Sequence, residues 1–335
     1  MGVLSRVAEN LYWASRYLER AAHTARVLDV HVHQTLDQSR ESTALHWQRV
    51  CDGLHVPALV DGVDLPERIT RSLTFDPSNP ASIMACITLA RENARQARQE
   101  ISSAMWEQIN RLFLRFQHAD MAAKWLVEPH DCYVCVKEGA NLFQGITDDT
   151  MSHGEGWHFI QLGRFIERVD SMATILDVHI DTSLQMWQPP DPGAYLEMAS
   201  LLESCLAFEA FCKAYSAELE PTHIAQFLLF DAAFPRSIRY CVGMIQSSLQ
   251  GISRVTGRAG GRTDRLAGRL RAMLDYAHMD DLQAGDAHSY LRDVHRLCSE
   301  IHGAIGQTYI APRHIPAGHA QVYPAAAVPF AMIDQ

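Results

Sequence analysis

The chain has 335 residues, 47% hydrophobic and 20% charged, with a formal charge of −10 and a pI near 5.9. This composition describes a globular protein with a sizeable core, and its acidic balance excludes non-specific nucleic-acid binding and a polybasic membrane patch. No run approaches the roughly 18 apolar residues of a membrane span, and Arg6 and Glu9 interrupt any secretory h-region, so the sequence predicts a cytoplasmic protein with reduced cysteines.

The first predicted element is a long amphipathic helix whose seam is Leu4, Val7, Leu11, Ala14, Leu18, Ala21, Ala25, Leu28 and Val32. Alanines on this seam allow close approach of a partner helix. Pro57, Gly62, Pro66, Pro77 and Pro80 then mark turns around a short helix. A second long helix is expected from about Pro80, capped by Asn79, with Ile83, Ile87, Ala90, Ala94, Ala97, Ile101 and Ala104 as its seam. Helical pattern continues over Glu107–Phe116 and Lys124–Thr147 and breaks at TDDTMSHGEG. Beyond the break a helix with the seam Phe159, Leu162, Ile166, Val169, Ala173, Leu176 and Ile180 is expected to run to Pro189. Further helices read through Tyr195–Glu218, Thr222–Phe230, Pro235–Ser253, Thr263–Met279 and Ala287–Tyr309, with a Pro/Ala tail from Ala311. No alternating run reads as a strand.

One passage of the chain is written twice. With Glu19 set on Glu167, Arg16, Arg20, Ala25, Leu28, Asp29, Val30, His31 and Leu36 meet Arg164, Arg168, Ala173, Leu176, Asp177, Val178, His179 and Leu184. FDPSNPASIMAC (Phe75–Cys86) likewise repeats as FDAAFPRSIRYC (Phe230–Cys241). Two matches in the same order predict an all-α helical bundle of two duplicated halves with pseudo-twofold symmetry: residues 1–150, 151–311, and a tail over 312–335.

Seam matches need only packing, but Arg16, Glu19 and Arg20, like Arg164, Glu167 and Arg168, lie off the seam. Three readings fit them: a solvated face of intrahelical pairs, buried inter-helix ion pairs that fix the dock, or a paired anion or partner site built on arginine forks. Arg91, Arg95 and Arg98 form a basic stripe that would extend such a site if it faces Arg16 and Arg20. The second half lacks the stripe and offers Arg236 and Arg239 instead, which suggests divergence toward one working site.

Other motifs carry less. Cys132 and Cys135 form a single CxxC, too little for a zinc ribbon, and read as buried thiols. Glu155–His158 has no ExxH partner, so no metal site and no cofactor is expected. TGRAGGRTD lacks a Walker ending and reads as a loop, and Asp76 and Asp231 read as turn or cap residues at a repeated corner.

LSRVAENLYWASRYLERAAHTARVLDV, FDPSNPASIMACITLARENARQARQEISSAMWEQIN, EGWHFIQLGRFIERVDSMATILDV and FPRSIRYC together resemble the Alpha-E family, all-helical proteins named for a Glu-Arg motif that Glu19–Arg20 and Glu167–Arg168 both match. The resemblance covers the chain to about Ala311. It implies a bacterial protein encoded beside, or fused to, a circularly permuted ATP-grasp ligase, often with a transglutaminase-like protein and a proteasome-like peptidase. The implied role is an auxiliary, non-catalytic subunit of peptide ligation or processing that binds the ligase, and the arginine-rich Glu-Arg faces suit an anionic amino-acid or peptide substrate. Two alternatives stay open: a stand-alone enzyme with Glu19 or Glu167 as general acid/base, and a purely structural scaffold.

Overall fold

The computed structural model describes residues 5–32, 40–57, 64–184, 192–215, 218–257, 261–279, 282 and 287–310. Among these the protein is all-helical, without a strand. The helices are α1 (Ser5–Val32), α2 (Arg40–Gly53), α3 (Leu65–Phe75), α4 (Ile83–Gln96), α5 (Ser103–Gln117), α6 (Ala119–Val127) and α7 (Pro129–Thr150). After a break they continue as α8 (Glu155–Leu184), α9 (Pro192–Ser204), α10 (Phe208–Tyr215), α11 (Pro221–Phe230), α12 (Ile238–Thr256), α13 (Arg262–Tyr276) and α14 (Ala287–Ile305). A π-turn, Gly306–Ile310, follows α14.

The two longest helices, α1 and α8, pack against each other at the centre. α1 also packs on α4 and α7, and α5 joins α4 and α7 from outside. α8 packs on α12 and α14, and α13 joins those two. One apolar cluster runs through both sets, from Val7 to Tyr309. Neighbours on several sides explain why α1 is buried almost all round, with Ser15, Arg16, Tyr17, Leu18 and Glu19 buried in succession.

α1 and α8 run in the same direction. Tyr12 meets Gly163 towards one end, and Val27 and His31 line the same small cavity as Ile175 and His179 towards the other. The approach is close because residue 163 has no side chain: a Cβ there would lie 2.1 Å from the Tyr12 carbonyl oxygen.

Several expected boundaries shift. The seam expected to run from Ile83 to Ala104 is cut, since α4 ends at Gln96 and Ser102 starts α5 by accepting from the Met105 N–H. Ala97 and Ile101 are buried, but in the turn between the helices. The cap of α4 is Ser82, whose Oγ accepts from the Ala85 N–H, while Asn79 accepts from the Ala81 N–H one turn earlier. The helical pattern expected over Lys124–Thr147 is two helices, parted at Glu128 ahead of Pro129. The stretch expected as one helix over Tyr195–Glu218 breaks where Leu206 takes φ 53°. The expected end of α8 at Pro189 and the tail from Ala311 lie outside the described residues.

The repeated corner has the same hydrogen bonds in both copies. Asp76 accepts from the Ser78 N–H and Asp231 from the Ala233 N–H. The Ser82 and Ser237 hydroxyls donate to the Asp76 and Asp231 carbonyls and cap the helices that follow. The Cys86 and Cys241 thiols both point to a proline carbonyl six residues earlier. The CxxC cysteines are buried on α7, and burial pushes the Cys132 thiol up to about 12, so neither is a poised nucleophile.

Close approach at residue 163 gives a direct test. Gly163→Ala should lower stability by about 2 kcal/mol or more, because the clash is with backbone. Gly145→Ala on α7, where a Cβ meets nothing within 4 Å, should be neutral or stabilising by up to about 1 kcal/mol. Urea unfolding of both variants checks the contrast.

Candidate functional site

The parallel pairing of α1 and α8 brings the two Glu-Arg motifs together in a reciprocal exchange. Glu167 accepts from Arg16 Nε at 2.7 Å and from Arg20 Nε and Nη2 at 2.5 and 3.1 Å. Glu19 accepts from Arg168 Nε and Nη2 at 3.1 and 3.0 Å. Each glutamate thus takes the arginine that follows its counterpart in the other helix. Both carboxylates are buried, at 2% exposure for Glu19 and 3% for Glu167. Adjacency of Glu and Arg matters for this reason: in an in-register parallel pair, neighbouring positions of opposite charge can swap partners across the interface.

Around this exchange the two centres differ. At Glu167 two arginines face two carboxylates, since Asp170 lies near enough to act on Arg16. Arg16 reaches on to Tyr12, whose hydroxyl bonds His302 Nδ1 at 2.7 Å. As Arg16 can only donate, Tyr12 accepts from it, which leaves the Tyr12 hydroxyl hydrogen to be donated to Nδ1 of a neutral His302. Burial, aided by Arg16, pulls His302 down to about 4. Asp170 in turn bonds His295 Nδ1 at 3.1 Å, and Thr174 lies between His295 and His55. This acid–histidine–hydroxyl order is not a catalytic set, because the Thr174 hydroxyl donates to the Asp170 carbonyl and is buried.

The Glu19 centre is crowded with positive charge. Besides Arg168, Arg236 Nη1 lies 3.1 Å and Arg26 Nη2 3.4 Å from Oε1, and Gln144 donates to Oε2 at 3.2 Å. Arg164 stands nearby without an ion pair to Glu19, its guanidinium 5.2 Å over the Phe165 ring. Burial would raise the Glu19 carboxyl, but Arg168, Arg236 and Arg26 more than offset it and hold it well below the usual range. Glu167 is lowered the same way, burial being outweighed by Arg20 and Arg16. A carboxylate so stabilised is a poor general base near neutral pH. The geometry therefore gives no support to an acid/base role for either residue.

Arg91, Arg95 and Arg98 do not join the exchange. Arg91 bonds Asn110 on α5 and lies over the Trp106 and Phe113 rings. Arg95 is exposed and pairs with Glu92, and Arg98 donates to the Ile101 carbonyl and the Ser103 hydroxyl. The expected cleft shared with Arg16 and Arg20 is not formed, because the apolar seam of α4 packs on α1 and turns this stripe away from it. Arg239 is likewise apart, bound to Asp275. Sequence reasoning passed over Arg26 and His23, which lie seven and four residues beyond Glu19 on the same helix. Among the described residues no group of three or more histidine, cysteine or acidic side chains is placed to hold a metal, and no helix is long and apolar enough to cross a membrane.

A family model, Alpha-E, described as a predicted alpha-helical domain with a conserved ER motif, matches residues 3–310. The chain belongs to this family. It is similar to uncharacterized proteins of Mycobacterium bovis and Mycobacterium tuberculosis, at 22% identity over 327 residues, covering 90% of this chain and 35% of each relative. The chain thus spans about a third of the length of the curated relatives it matches. No solved structure matches it.

Glu19→Gln and Glu167→Gln should each cost about 3–5 kcal/mol, because each leaves buried arginines without their carboxylate. The Glu19 variant should be the worse, with more arginines around it, as chemical denaturation would show.

Stability should also fall as pH drops below neutral. His23 is held down to about 3 by burial and by Arg26 and Arg236, and His302 to about 4, so the unfolded chain takes up protons below about 6.5 that the folded one refuses. The glutamates have lowered folded pKa values, so their contribution is complete above about 4.5 and is lost as pH falls through those folded values. A Tm series from pH 7.5 to 4 should decline first from about 6.5 and steepen below about 4.5, with His23→Asn flattening the upper part.

Proposed function

We propose that this protein is an auxiliary, non-catalytic helical subunit of an ATP-grasp-linked peptide ligation or processing system in the bacterial cytoplasm. The observation that carries this reading is the length of its relatives. In them the same unit is 35% of a longer chain, so it works there joined to further polypeptide. A module that is covalently attached to further polypeptide in its relatives suits a unit that works against a partner. The family resemblance supplies the identity of that partner, a circularly permuted ATP-grasp ligase. The interior agrees with a non-catalytic role, since both motif carboxylates are committed to arginines. On this reading the Glu-Arg motifs hold the two central helices together, and ligase and acidic substrate are met by other surfaces.

The same reading includes an origin by duplication. Its support is the repeated corner with matching hydrogen bonds, and the parallel pairing of α1 with α8 at equivalent motif positions.

Affinity purification of the tagged full chain from its source cells, followed by mass spectrometry, tests the proposal. A stoichiometric ATP-grasp protein is expected at low salt. Its absence, with the bait folded and abundant, overturns the reading.

A further inference from the structure

The exchange between α1 and α8 needs one carboxylate and its partner arginines on each side, and the Glu167 centre works with two arginines. The Glu19 centre carries more than that. Arg26, Arg168 and Arg236 are buried around one carboxylate, an excess of two positive charges, and half-buried Arg164 stands beside them with exposed Asp148. The surplus is not inherited from the repeated pattern. At the offset that sets Glu19 on Glu167, Arg26 falls on Thr174 and His23 on Ser171, and at the corner offset Arg236 falls on Ala81.

The surplus groups also hold unused hydrogen-bond capacity. Arg26 is 2% exposed and His23 5%, and Arg26 Nε and His23 Nε2 are buried without a hydrogen-bond partner. Arg164 Nε is a third such atom. These side chains belong to one cluster, since the charges that act most strongly on His23 are those of Arg26, Arg236, Glu19 and Arg168. Uncompensated buried charge with unpaired donors is costly and is tolerated where a ligand completes it. Burial and the neighbouring arginines pull Arg26 down to about 9, the response of a cation short of a counter-ion.

The cluster reaches towards solvent on the α7 side. Arg164 and Gln144 are half-buried, and Asp148, which acts on Arg164, is exposed. Asp148 accepts from Trp157 and Gln161 and sits at this mouth rather than in the cluster.

We propose that the arginine cluster around Glu19 binds a phosphoryl dianion, either inorganic phosphate or the phosphate of a small ester. A monocarboxylate would leave one of the two excess charges uncompensated. A phosphate dianion matches both and offers several strong acceptors, which suits guanidinium forks. This inference does not depend on the ligase reading.

Calorimetric titration of the full chain tests it, with inorganic phosphate and phosphoserine as probes in chloride buffer of matched ionic strength. Saturable binding at a 1:1 ratio is expected for at least one probe. Tighter binding of phosphoserine assigns an ester source, and binding of phosphate alone assigns the free anion. Arg26→Gln and Arg236→Gln should each weaken binding about tenfold or more, while exposed Arg95→Gln leaves it unchanged. Without phosphate, Arg26→Gln should keep or raise Tm, because it removes surplus charge. If that variant does not fold, Arg236→Gln, nearer the surface, decides. No saturable binding of either probe to the wild-type chain, or binding undiminished in the folded variants, overturns the proposal.

Discussion

A glutamate buried between two helices cannot be left without positive charge, and this constraint organises the molecule. Taking a carboxylate out of water costs several kcal/mol unless arginine forks and further hydrogen bonds replace its hydration. Here the carboxylates of α1 and α8 are each served by the other helix. The exchange fixes three things together: the helices run parallel, they stay in register, and they come close. Gly163 permits the last by letting α8 approach the Tyr12 carbonyl. A shift of α8 by one residue would move Glu167 and Arg168 to other faces of the helix and undo both centres.

Buried ion pairs are weak sources of net stability, and apolar replacements of the same volume often do as well. What they supply here is selection among packings. The seams of α1 and α8 are similar apolar ladders, which by themselves specify register only weakly. Only one register satisfies both glutamates. The same economy of unpaired charge runs outward from Glu167, where Arg16, Tyr12 and His302 form a chain, and Asp170, His295 and Thr174 a second. His302, held neutral by burial, can accept a hydrogen bond from the Tyr12 hydroxyl without adding charge to the core.

Much of this was legible in the sequence. The repeat, the long helices and the Glu-Arg positions could all be read from spacing, and inter-helix ion pairs were among the readings open for them. The pairing partners could not, since nothing in one dimension says that the two repeated helices meet each other rather than separate neighbours. Nor could the spacing decide between burial and exposure of Arg16 and Glu19, because an apolar seam reports one packed face and α1 has helices on several sides. The breaks between helices were hidden for local reasons. Ala97 and Ile101 keep the spacing of a helix while sitting in a turn, and Leu206 takes a left-handed conformation that sequence would assign to glycine. Arg26 was hidden because its meaning depends on Arg236, more than two hundred residues away.

The family is described by a conserved ER motif, and in this structure both copies of it tie α1 to α8. Both carboxylates are held ionised by their arginines, so neither is suited to accept and return a proton near neutral pH. Function is then better sought where the two centres depart from each other than where they agree. What they share is the pairing that locks α1 to α8. What only the Glu19 centre has is neutral His23 and the buried Arg26 and Arg236, whose charges the lock does not require and one carboxylate shared with Arg168 does not balance. A fold can bear such a departure because the Glu167 centre, with its charges matched, still fixes the register of the central helices.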